Sequence, residues 1–521
     1  MQRFEAIYLL IKSTFIVSFF GLSVGNMLQA QDFYLPVNAA ALMRMERAGL
    51  TRQPAVHAGF KPMLAASGDF SNVPGIGADT TPYYYKITEK IFSDHLVEFD
   101  RPNFKFYADF LFDFGYGREE VDTYREEKTL YTNTRGFSIG GEIGERVYFY
   151  SDFYENQSRL PSYLDVFVDS LDVIPGSGRV KEFKGDAYDF SMASAYVGVK
   201  AASWLDLHFG HFKQFVGHGH RSLLLSDNAF NYPFFSYMLN FFEGQLTYRY
   251  SLTSLQNLER LPIGDTPESI FKRKVLATNY VSFKPNQNWE LGLFQGAIHR
   301  TFSDSSGSTG FPWQALNPIP VISPGVEGFD NQNRNYVLGL NLAWRPMNLL
   351  KVYGQAMIDN PDETRFGYQV GARIQGWLEA IDFGLEYNEV RASSYSDPNR
   401  LQSYTHYNQP LAHPLGAGFK EWRLSAVYYK NRIYAHYQLI RAALDVDGRN
   451  PLADNPGAIS YSAQSVFNQD LQVAYIFNPS QNFQIYAGYQ DRTLQDAVKD
   501  QRNGFWYVGM RTQIANIYRD F

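Results

Sequence analysis

No cysteine occurs among the 521 residues. Disulfides and thiolate metal sites are therefore excluded outright. Long apolar runs are scarce as well, and mean hydropathy is −0.32. A polytopic helical membrane protein would need many apolar runs of roughly 20 residues, so that class is excluded too. Charge of one sign is also lacking. The formal net charge of −6 is small for this length, and no strong basic patch is visible, which argues against nucleic acid as a partner. What the chain has in abundance is aromatic and glycine residues: 37 Tyr, 42 Phe and 41 Gly.

Residues 1–30 read as an export signal. Arg3 and Lys12 supply positive charge, Glu5 partly offsets it, and Ser13 to Leu22 is a short apolar run. Ala30 is a small residue suited to cleavage, with a mature start at Gln31. The run is too short for an anchor and no stop-transfer pattern follows.

The stretch "NFKFYADFLFDFGYGR" alternates strictly from Asn103 to Arg118. Phe104, Phe106, Ala108, Phe110, Phe112, Phe114 and Tyr116 share one parity, whereas Lys105, Tyr107, Asp109 and Asp113 share the other. Such alternation makes a strand with one apolar and one polar face. In a membrane barrel the apolar face meets lipid and the polar face lines the lumen. The pattern recurs near Arg135, Val147, Asp189, Trp204, Ser236, Gln245, Val275, Trp289 and Tyr336. It continues near Leu350, Tyr368, Ile381, Trp422, Ile433, Leu471, Phe483 and Phe505. The expected fold is all-β: a transmembrane antiparallel β-barrel of about 18 strands.

Connection lengths alternate too. Short turns fall at Gly144, Glu243-Gly244, Lys430-Asn431 and Pro479 to Gln481, among others. Long polar or proline-rich loops span Gln157 to Ala187, Thr301 to Arg334, Ala392 to Gly418 and Ala442 to Val466. Short periplasmic and long extracellular connections are the asymmetry of bacterial outer-membrane barrels. Keeping that parity requires two strands, not one, between Ser236 and Leu252. The chain ends in "QIANIYRDF". A last strand closing on Phe521 is similar to the signal that barrel-insertion machinery reads.

Residues 31–100 do not alternate. Ala39 to Ala48 reads as a short helix, with Asn38 to cap it and Gly49 to close it. This segment is expected at the periplasmic side or as a plug, since 18 strands otherwise leave an open channel. The organisation expected is thus residues 1–30 signal, 31–100 plug or periplasmic segment, and 101–521 barrel.

The runs Tyr131 to Tyr163, Val173 to Val197, Gly210 to Pro233 and Ser403 to Trp422 resemble the capsule-assembly Wzi family. They look nearest its RemB-like branch in gliding bacteria. Within them, "GHGHRSLLLSDNA" from Gly217 to Ala229 is the most specific. The resemblance implies a barrel of about 18 strands with N-terminal helices on its periplasmic side and no enzymatic activity. It implies a role in holding surface polysaccharide or, in the RemB-like branch, in motility with links to secreted surface proteins.

That run carries four of the chain's ten histidines on or near it: His208, His211, His218 and His220. On an extended segment His218 and His220 would point to one side and could serve zinc or copper, with Asp227 or His208 as further ligands. A closed site needs more ligands than are in reach, so no metal and no cofactor is expected. A catalytic reading would use Ser222 or Ser226 with His220 and Asp227, but no nucleophile elbow marks a nucleophile. The architectural reading folds the loop inward, so that Leu223, Leu224 and Leu225 escape water. Arg221 would then pair with lumen carboxylates such as Asp109 or Asp113. Ser226, Asp227 and Asn228 would shape local turns. Glycan contact is the remaining possibility, through this loop and through Glu155, Asn156, His406, Asn408, Gln409 and His413, which lie in or beside expected extracellular loops. The expected partners are outer-membrane lipid, surface polysaccharide and motility or secretion proteins. The expected role is a non-enzymatic organiser of surface polysaccharide. The alternatives are a motility or secretion component and, less favoured, a diffusion porin.

Overall fold

Eighteen long antiparallel strands close on themselves, each hydrogen-bonded to its sequence neighbour. The computed structural model describes residues 33–35, 46, 56–65, 85–121, 126–144, 146–261, 271–303, 307–319, 334–360, 364–378, 380–445, 464–496, 500–514 and 518–521. The wall begins with β1 (Phe104–Val121), β2 (Glu126–Ile143), β3 (Val147–Arg159), β4 (Ala187–Ala202), β5 (Leu205–Phe212) and β6 (Tyr232–Phe241). It continues with β7 (Leu246–Arg260), β8 (Phe271–Asn286), β9 (Trp289–Arg300), β10 (Arg334–Met347), β11 (Leu350–Asn360) and β12 (Arg365–Trp377). It ends with β13 (Ile381–Val390), β14 (Phe419–Lys430), β15 (Ile433–Leu444), β16 (Gln464–Asn478), β17 (Phe483–Gln495) and β18 (Asp500–Arg511). The division of Ser236 to Leu252 into two strands holds, with Phe242–Gly244 as the turn between them.

Period-two patterning sorts the side chains as expected. Phe110, Phe114 and Tyr116 of β1 are exposed on the outer face, whereas Asp109 and Asp113 are buried inside. At the short-turn end, Trp204, Trp344 and Trp377 are exposed on the outer face, and Trp289 stacks on Trp344. Rings at that level form the girdle that marks the edge of an apolar band. The inner face departs from the simple polar expectation. Toward the long-loop end it is apolar, with Leu255, Leu276, Phe294, Ile298, Val337 and Met357 in one buried cluster. Inward polar residues occur at both ends: Glu290, Lys284 and Lys351 are buried toward the short turns, and Lys274 and Asp359 toward the long loops.

Closure is unusual. β18 covers only the second half of β1, from Asp113 to Val121. A short strand, Val97–Arg101, pairs with Phe104 to Ala108 and takes the remaining edge. The last strand therefore stops at Arg511, and Phe521 does not end a wall strand. The edge that such a strand would use is already occupied, and the tail instead turns into the lumen. There Tyr163 and Gln490 donate hydrogen bonds to the Arg519 carbonyl, at 2.6 Å and 2.9 Å. Phe521 packs on Phe167 of a loop helix, Ser162–Leu171.

Part of the N-terminal segment also lies inside. Phe60-Lys61 pairs with Phe215-Val216, and the Ala58 and Gly59 amides donate to Glu290. The expected helix from Ala39 to Ala48 lies outside the described residues apart from Glu46, which is helical and buried. The signal segment lies outside them entirely. A helix not foreseen, Lys86–Phe92, sits by the turn after β16, where Asn478 donates to the Lys90 carbonyl at 3.0 Å.

Candidate functional site

The loop of residues 213–231 joins β5 to β6 and folds down inside the barrel. Val216 bridges back to Leu225, which closes a tight inner lobe around Leu223, Leu224 and Leu225. Each of the three is 0% exposed. Water would penalise three adjacent leucines by about 1.5–3 kcal/mol each, so the inner apolar cluster is what draws the lobe in. Leu224 fills the space that Gly339 of β10 leaves on the inner wall. The backbone of the lobe is held by inward side chains of the wall. Leu223 N donates to Gln355 at 2.8 Å, and Gln369 donates to the Arg221 carbonyl at 3.0 Å. His220 N and Arg221 N donate to the Glu386 carboxylate at 2.8 Å and 3.1 Å. Gly219 permits that approach, because a Cβ there would stand 2.5 Å from Glu386 Oε2.

A second loop, residues 391–418, closes over the first. Tyr395 and Tyr404 donate to the carbonyls of Leu223 and Leu224, at 2.7 Å and 2.9 Å. Ser226 N donates to the Leu411 carbonyl at 2.7 Å. The Ser226 hydroxyl donates to the Ala412 carbonyl. The two loops thus clamp each other backbone to side chain within the barrel.

The tail is the third layer. Arg221 does not reach Asp109 or Asp113, which bond to Leu96 N and Tyr486. Its guanidinium lies 3.3 Å from Asp520 Oδ1, 2.8 Å from the Asp520 carbonyl and 3.4 Å from Glu421 of β14. A carboxylate delivered by the tail is nearer than those of β1, which explains the difference. Burial pushes the Asp520 carboxyl up, but Arg221 and His220 outweigh it and hold it well below the usual range. Tyr518 donates to Asp227, and burial, reinforced by Asp227, pushes its phenol well up. Lys213 donates to the Asp227 carbonyl at 2.9 Å. Burial lowers its pKa to about 8, with Asp227 opposing.

His218 and His220 lie on a bent, not extended, segment and part company. The first lies 3.7 Å from Glu290 and the second 3.3 Å from Asp520. Among the described residues no three of His, Asp and Glu gather as a metal site. The Ser222 hydroxyl donates to the Val216 carbonyl and Asp227 faces Tyr518, so no Ser–His–Asp relay is assembled. Asn228 N donates to the Ser226 hydroxyl at 3.2 Å, so Ser226 caps the local turn. Glu155 and Asn156 sit within β3, on opposite faces, and not in a loop. Glu155 is exposed outside, whereas Asn156 accepts from Thr134 inside at 2.7 Å.

His406, Gln409 and His413 are buried in the second loop. His406 accepts from Gln256 N at 3.0 Å, and burial lowers its pKa to about 3. Gln409 ties the loop to Gly176 and Ser177. His413 meets Glu421 at 2.9 Å. Asn408 is half-buried and donates to the Leu171 carbonyl at 3.2 Å. The sequence reading missed Gln355, Gln369, Glu386 and Glu421. Their signal was present: each is a polar residue at an inward position of an alternating strand, where burial demands a partner.

The family model described as capsule assembly protein Wzi matches residues 118–505. No curated protein matches the chain. A solved structure from Escherichia coli is described as Wzi, an outer membrane protein involved in group 1 capsule assembly and a carbohydrate-binding β-barrel. It superposes with a TM-score of 0.53 at 13% identity, covering 91% of this chain and 98% of that one. Pseudomonas aeruginosa OccK8 gives 0.43 at 11% identity, over 78% of this chain and 98% of its own. Acinetobacter baumannii OccAB4 gives 0.42 at 10%, over 79% and 98%.

Proposed function

Because the chain belongs to the capsule assembly protein Wzi family, we propose that it is a non-enzymatic outer-membrane barrel that anchors or organises surface polysaccharide at the cell exterior. The observation that carries this reading is the filled lumen. Two interlocked loops and a tail pack the long-loop half with apolar and paired groups. A diffusion pore needs a wet path through the lumen, and a stopper of this kind directs function to the outer rim. The carbohydrate-binding description of the Escherichia coli barrel supports the same reading. Asn408, nominated from sequence, keeps partial exposure at the long-loop end, as does its neighbour Tyr407, and the two are the proposed glycan contacts. Deleting the gene should release polysaccharide into the medium while total synthesis stays unchanged. A capsule that stays fully attached in the deletion strain overturns the reading.

A second reading, attachment to a motility or secretion apparatus, is favoured by one observation. The helix Lys86–Phe92 leaves Tyr85, Ile87 and Ile91 exposed at the short-turn end, an apolar face suited to a periplasmic partner. Affinity capture from solubilised outer membranes that returns the barrel alone counts against it.

A further inference from the structure

One sector of the outer wall is built unlike the rest. Tyr237, Tyr250, Asn279 and Gln295 are outward residues of β6 to β9, and the register places them side by side along one hydrogen-bonded row. Leu338 of β10 continues the row. Tyr248 joins the patch, its hydroxyl 2.6 Å from the Asn279 side-chain amide. Elsewhere on the described wall the outward face is mostly apolar and bare, as at Phe110 or Leu340, with scattered polar groups such as Glu155 and Glu389. Here it is polar and covered. The segment after β9 runs down the outside of the barrel, and its short helical turn, Trp313–Leu316, buries Ala315 against Tyr250 and Ala277. Tyr250 donates to the Ala315 carbonyl at 2.7 Å, and Tyr248 donates to the Pro318 carbonyl.

The level of this contact matters. Trp344 of the girdle follows Leu338 on β10 by six residues. At about 3.3 Å per residue and a tilt of about 40°, the β10 end of the row stands about 15 Å above the girdle. An apolar band is about 25 Å tall, so the row and its covering turn lie inside it. Irregular backbone at that depth is tolerated only where protein covers it. The outer side of the turn is uncovered: Phe311, Trp313, Leu316 and Ile319 are exposed, Trp313 by 74%.

We propose that this sector is a seam within the membrane, covered by the same sector of a second copy of the chain. Three features favour a copy. The segment has no Asp, Glu, Lys or Arg between Asp304 and Glu327, so apposing it with itself brings no like charges together. A single such sector is what a closed two-fold pair uses, since both members present one self-complementary patch. A copy is also bound to lie in the same membrane at the same height.

The absence of cysteine makes the test direct. Gln314 is exposed on the seam, and Val473 is exposed on the far side of the barrel. Gln314→Cys, oxidised in intact outer membranes, should migrate as a covalent pair of twice the monomer mass, whereas Val473→Cys should not. Unmodified protein extracted in mild detergent should sediment as a dimer. Monomer alone in both measurements, equal pairing at both positions, or adducts of another mass at Gln314→Cys would each overturn the proposal.

Discussion

Arg221 holds the end of the tail and an inward carboxylate of β14 at once, and it is 1% exposed. Removing one partner of a buried ion pair strands the other, at a cost of about 3–5 kcal/mol. Arg221→Ala should therefore free the 213–231 loop while the wall persists. Limited proteolysis should cut within the loop, in protein that still shows the gel mobility of a folded barrel. An uncut loop sinks the idea. Acid should act through the histidines before the carboxylates. Free imidazole takes a proton near pH 6.5, whereas burial holds His406 neutral down to about 3 and depresses His220 as well. Between those values the undocked loops bind more protons, so docking weakens as pH falls, by about 1.4 kcal/mol per pH unit per histidine. It is at full strength above about 6.5. The Asp520 contribution is present above about 4, the free-carboxyl value, and goes only as pH falls toward its depressed value. Protease sensitivity of the loop should thus rise from pH 7 to 5, with a shallower slope in His406→Gln. A flat profile would contradict this.

The loop of residues 213–231 is the element that closes the barrel, and Gly219 is its weak point. Any larger side chain there meets Glu386 and Gln369. Gly219→Leu should push the lobe from its seat and cost about 1–3 kcal/mol, the usual penalty of overpacking. In a planar bilayer the parent protein should be silent and the variant should open steady or flickering conductance. A silent variant with the loop displaced would place the seal elsewhere. The strands and their order were legible in the sequence because alternation is local: Phe104 to Tyr116 declares its outer face without reference to anything distant. The inward fold of the loop was legible from Leu223 to Leu225, which have no place in water. Which carboxylate Arg221 takes was not legible, because Asp520 lies 299 residues away and reaches it only through the tail's turn at Arg511. The hydroxyls of Tyr395 and Tyr404 were hidden for the same reason.

For the whole molecule, wall and interior rest on different contacts. The wall joins neighbours in sequence, apart from the β18 to β1 seam. The interior is tied by bonds across 172 residues from Tyr395 to Leu223, 180 from Tyr404 to Leu224 and 299 from Arg221 to Asp520. The wall can therefore grow hairpin by hairpin, but the inner clamp lacks Asp520, the tail partner of Arg221, until β18 has been laid down. Long-separation contacts are also the slow ones to form. Refolding into detergent should show two phases by stopped-flow fluorescence and timed proteolysis. Strand content should come first, and protection of the 213–231 loop should follow. Simultaneous phases would rule that order out. An assembling barrel thus passes through a moment when its wall is complete and its interior still unlocked, and for that interval it is a leak in the membrane it is entering.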